Sequence, residues 1–168
     1  SRRLGSDFAE ATTPALESGT VNPTALLAWR DATLELLADG GWREEMAGRA
    51  LVETMAGLLD VLAPGSVGHW SRCVSALQPG RRKAPPWPPR LAKELAGLEA
   101  SEQERCLKLC ADLSAGDALA ARELVSALPA ALKSLAPDCR RALFEAVEEA
   151  LKPAKVADGL ADALRLLS

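Results

Sequence analysis

No isoleucine and no tyrosine occur in these 168 residues, and valine, threonine and phenylalanine number eight, six and two. A pleated, half-buried surface is built from β-branched and aromatic side chains, so this inventory excludes an extensive sheet. Histidine is limited to His69, which leaves a Ser-His-Asp triad one place to form. Four cysteines are too few for a disulfide scaffold and point to free thiols in a reducing, cytoplasmic setting. No uncharged apolar stretch approaches the roughly 18–20 residues of a membrane helix. The charges at Arg2 and Arg3 are followed by no apolar run, so the start reads as a cut or processed terminus and not as a secretory signal. An excess of one charge is missing too. With 20 basic residues against 23 acidic and a net charge of −3, there is no global nucleic-acid footprint. Gly-x-Ser-x-Gly, a glycine-rich phosphate loop and His-Glu-x-x-His are all absent from the sequence.

What the chain does contain is 32 alanines and 29 leucines, both strong helix formers. At 48% hydrophobic and 26% charged it is an ordinary globular composition, long enough for one full core. The expectation is a soluble, single-domain, all-α chain of eight to ten short helices.

Proline and glycine punctuate it. Asn22-Pro23 reads as a cap and first helical residue, and Gly40-Gly41 as the stop of that helix, with Leu26, Leu27, Trp29, Leu34 and Leu37 as its apolar face. A longer helix is expected over 42–62, ended by Pro64-Gly65, and a short one carries Val67, Trp70, Cys73, Val74 and Leu77. The run 80–90, GRRKAPPWPPR, cannot be helical through its prolines and is the main linker. Beyond it, Leu91, Leu95 and Leu98 resume the apolar pattern. Ser101-x-x-Glu104 reads as a capping box and Ser114-x-x-Asp117 as the opening of the next helix, which runs to Leu128 before Pro129 restarts the chain. Leu143, Phe144, Val147 and Leu151 mark a further helix, and Val156, Leu160, Leu164 and Leu167 a last one over 154–168.

An internal repeat organises these elements. Shifting the sequence by 73 positions pairs residues 34–77 with 107–150 without a gap, and 13 of 44 positions are identical. Composition alone would give roughly four or five. The longest identical block sets Leu62-Ala63-Pro64 against Leu135-Ala136-Pro137, and Leu59 falls on Leu132. Two related units, 22–78 and 91–151, are therefore expected, joined by the linker 79–90. Each is too small to bury its apolar face alone, so the units are expected to stack.

Tandem short helices with Leu-Ala-Pro stops resemble the HEAT-like α-solenoid superfamily. The stretch 121–138 (ARELVSALPAALKSLAPD) is similar to the helical region that precedes some bacterial von Willebrand factor A domains encoded beside MoxR-type ATPases. Neither family brings a catalytic motif to carry over; both resemblances imply protein–protein contact.

Few residues carry chemistry. His69/Cys73 and Cys106/Cys110 are i, i+4 pairs, each on one helix face, and together could form a one-His, three-Cys zinc site or a thiol-redox pair. The competing reading places these cysteines in the core as small hydrophobes. Glu44/Glu45 and Glu148/Glu149 are adjacent on helices, diverge, and read as solvated faces. In the linker, Arg82-x-x-Pro85-x-x-Pro88 matches the basic PxxP pattern read from a polyproline II helix, against the alternative of a stiff spacer. Arg81, Arg82, Lys83, Trp87 and Arg90 are accordingly the expected partner-binding residues, with Trp42 or Trp70 as helpers if exposed, because Trp and Arg are enriched at binding hot spots. The sequence points to a non-enzymatic scaffold or adaptor with a protein or peptide partner, without cofactor, catalytic or metal residues, and binding neither nucleic acid nor membrane. The alternatives are a metal or thiol-redox protein and an accessory part of an enzyme completed elsewhere.

Overall fold

A computed structural model describes residues 2–19, 21–38, 41–77 and 91–151. The linker with Arg81, Arg82, Lys83, Trp87 and Arg90, and the expected helix over 154–168, lie outside the described residues. Eight helices and no strand are present among those described: α1 (Arg2–Ser18), α2 (Pro23–Leu37), α3 (Trp42–Leu58), α4 (Pro64–Leu77), α5 (Leu91–Leu95), α6 (Ala100–Ser114), α7 (Ala118–Ser134) and α8 (Pro137–Leu151).

Local chemistry sets most of the starts. Asn22 Oδ1 accepts the Thr24 N–H at 2.9 Å with Pro23 at the first helical position, and Asp117 Oδ1 accepts the Ala120 N–H at 2.9 Å. The capping box of α6 is Glu99 with Glu102, whose Oε2 accepts the Glu99 N–H at 3.1 Å; it is not Ser101 with Glu104. Ser114 closes α6 and does not open α7, because its buried hydroxyl is bonded back to the Ala111 carbonyl. Pro64 opens α4, so the helix before it stops at Leu58 and not at residue 62. Pro129 restarts nothing: α7 runs through it, and only one intrahelical N–H is forgone at a buried position.

α1 has no counterpart in the sequence expectations. Gly5, Thr12, Thr13 and Pro14 all lower its helix propensity. The threonine hydroxyls donate to the Phe8 and Ala9 carbonyls one turn back. Leu4 is buried, and its side chain meets α3 at Gly48, where an added Cβ would lie 3.4 Å from both Leu4 and Leu37. A glycine at that position lets α1, α2 and α3 approach closely.

Packing follows a chain of neighbours. α1 lies on α3, α2 on α3 and α4, α4 on α6, α6 on α7 and α8, and α5 on α7. The seam between α4 and α6 is the most extensive, and one hydrophobic cluster runs from Trp29 through Trp70, Cys73, Cys106 and Leu128 to Val147. Full burial of each large apolar side chain there contributes about 1.5–3 kcal/mol. Leu59 and Leu132 are both buried, and α4 and α8 both start on the proline of a Leu-Ala-Pro block.

Gln103 ties the two halves through polar contacts. Its Nε2 donates to the Leu95 carbonyl at 2.8 Å and the Val61 carbonyl at 3.0 Å, while Oε1 accepts the Ala63 N–H at 3.0 Å. Both amide protons and the carbonyl are thereby used, as a buried polar group requires.

Candidate interaction surface

Cys73, Cys106 and Cys110 are fully buried between α4 and α6, the core position weighed from the sequence. Burial, reinforced by the neighbouring Cys106, pushes the Cys73 thiol up to about 12. Cys110 is pushed well above the usual thiol range, first by its hydrogen bond with Cys106 and then by burial. Such thiols stay protonated at neutral pH, and the thiolate is the nucleophile and the metal ligand. Cys139, on α8, is the exposed cysteine.

His69 sits on α4 one turn before Cys73, half-buried, and its Nδ1 accepts a hydrogen bond from Arg72. Burial, and then the Arg72 charge, hold the imidazole below its usual range, so it is neutral at pH 7. Arg72 also lies 3.7 Å from Asp112 on α6. Among the described residues no group of three or more His, Cys, Asp and Glu could hold a metal ion.

Carboxylates on α6 and α8 have structural partners. Arg105 holds Glu148 through two bonds of 2.6 and 2.9 Å, so Glu148 is part of the α6–α8 contact and not of a solvated face. Arg140 reaches Glu102 at 2.9 Å.

An open cleft of about 550 Å³ lies where the first turns of α2, α4 and α6 meet. Its walls include Asn22 and Ala25, the 59–63 turn, Pro64, Ala100 and Gln103; Asp60 is the ionisable residue of the lining. Its chemical repertoire is small, since Gln103 is already fully hydrogen-bonded.

Large apolar side chains at the surface are a more informative feature. Leu27 and Leu34 are 47% and 59% exposed. They lie seven residues apart on one side of α2, opposite Ala25, Trp29 and Ala32, which are buried. The sequence pattern puts both leucines on one apolar face together with Trp29. In the fold, Trp29 is fully buried in the core cluster with Ala25 and Ala32 buried beside it, so the two leucines turn outward. Between them the Arg30 guanidinium pairs with Asp31 at 2.7 Å. Trp42, the first residue of the next helix, is 52% exposed, while Trp70 is fully buried and donates its indole N–H to Thr54 Oγ1 at 2.9 Å. Leu16 on α1 is exposed as well, and Leu119 at the start of α7 is the exposed leucine among the described residues of the second half.

The two units carry similar net charge, −3 over 22–78 and −4 over 91–151, and a cut at residue 60 divides the whole sequence differently because the linker is basic. Residues 1–60 contain ten Asp or Glu and five Arg, a net −5, whereas residues 61–168 contain 13 acidic and 15 basic residues, a net +2. Two of the arginines in residues 1–60 are already held by carboxylates of their own helices, Arg30 by Asp31 and Arg49 by Glu45.

Comparison with protein-family models, with curated proteins and with solved structures finds no match for this chain.

Proposed function

We propose that this chain is a non-enzymatic protein–protein interaction module, a stack of helices that presents its surface to a protein or peptide partner. The observation that supports this reading is the pair Leu27 and Leu34, exposed two turns apart on one face of α2, with Trp42 exposed just beyond the end of that helix. Single exposed leucines are ordinary, but apolar residues aligned along one helix face form a stripe that a partner can cover. Trp is among the residue types most enriched at binding hot spots. The chemistry found elsewhere agrees with this role: a neutral His69 bonded to Arg72, thiols kept protonated in the core, and carboxylates engaged in ion pairs.

The related units 22–78 and 91–151 and the likeness to HEAT-type stacks belong to the same proposal. They are supported by the shared Leu-Ala-Pro starts of α4 and α8 and by the burial of both Leu59 and Leu132. Four free thiols suit a reducing, cytoplasmic setting, and no helix among the described residues is long and apolar enough to cross a membrane.

Affinity capture with the whole chain as bait tests the role. The bait is run beside Leu27→Ser/Leu34→Ser and Trp42→Ala variants, with Leu119→Ser as a surface control. A partner kept by the parent and the control and lost by the α2 variants is the expected result. A partner kept by every variant would move the contact away from α2 and toward the linker residues Arg81, Arg82, Lys83, Trp87 and Arg90.

A further inference from the structure

We draw no further inference here: the strongest candidate, the outward apolar face of α2 around Leu27 and Leu34, carries nothing beyond the interaction role because nothing in the structure shows what covers it.

Discussion

The side-chain amide of Gln103 accepts the backbone N–H of Ala63 at 3.0 Å, joining the first turn of α6 to the turn between α3 and α4. The same amide donates to Val61 and Leu95, so one side chain serves three backbone groups from two segments, the turn before α4 and the end of α5. No apolar residue of similar volume can do this. Replacement leaves the Ala63 donor and the Val61 acceptor without a partner, each at a cost of about 1–3 kcal/mol where it stays dry, while the Leu95 carbonyl keeps the Leu98 N–H at 3.0 Å. Gln103→Ala is therefore expected to lower the unfolding free energy by about 2–4 kcal/mol in urea titrations. Asp60→Asn in the same cleft, at an exposed position, is expected to change it by less than about 0.5 kcal/mol. Similar small changes in both variants would mean that water replaces Gln103 without loss.

Leu59 and Leu132 test the pairing of the two units. Both are buried, at 4% and 0% exposure, and both lie three positions before a Leu-Ala-Pro block. Truncation to alanine at either position is expected to cost about 2–5 kcal/mol, set by how far each site can collapse. Chemical denaturation of the two variants reads the result directly. A cost near zero at either site would break the proposed equivalence.

The thiols give a pH-dependent signature. Cys139 is exposed, while Cys73, Cys106 and Cys110 have no accessible surface. An aromatic disulfide reagent is expected to titrate one thiol rapidly in the folded chain and four after denaturation. In the folded state the Cys73 pKa is raised to about 12, so the native thiol keeps its proton while the unfolded one loses it above about pH 9. The unfolded state then binds fewer protons, and stability falls as pH rises from about 9 toward 12. Cys73→Ala is expected to flatten part of that fall. A slope unchanged by the substitution would assign the alkaline transition to other groups.

Much of the architecture is legible in the sequence because proline, asparagine and the scarcity of β-branched residues act locally. Asn22-Pro23 opens α2 as expected, and Leu91, Leu95 and Leu98 are buried as their spacing predicts. What stays hidden depends on tertiary contacts. α1 is written in poor helix formers and is held by Leu4 against Gly48, a contact between residues 44 positions apart in sequence. The capping box of α6 starts on Glu99, an uncommon cap, while the nearby Ser101 offers a more familiar pattern two residues too late.

The surface of α2 was illegible for a different reason. Alanine and leucine are both apolar, so the helix has two sides that each fit a helical period. One contains Ala25, Trp29 and Ala32, and the other Leu27 and Leu34. Periodicity cannot rank them. The large Trp29 and its small neighbours decide the matter only once α3 and α4 are in place to pack against α2.

α8 provides the last test, because two kinds of contact hold it and they differ in strength. On the polar side, Arg105 grips Glu148 through both carboxylate oxygens, stacks 4.7 Å from the Phe144 ring centre, and is held charged by that pairing; Arg140 reaches Glu102. On the apolar side, only Phe144 and Val147 are buried. Both partners of the Arg105–Glu148 pair are more than a third exposed, so solvent screening limits it to less than about 1 kcal/mol. Removing the buried phenyl ring is expected to cost about 3–5 kcal/mol, or less if α8 simply releases. Phe144→Ala is thus expected to raise amide exchange throughout α8 and to weaken the chain measurably, while Arg105→Ala produces a smaller, salt-dependent loss. The two substitutions share a contact, so their effects are expected not to add. If Arg105→Ala proved the more damaging at 0.5 M salt, where its ion pair is screened, the guanidinium would have to be acting chiefly as packing over Phe144, and α8 would be held by that stack more than by the burial of its own side chains.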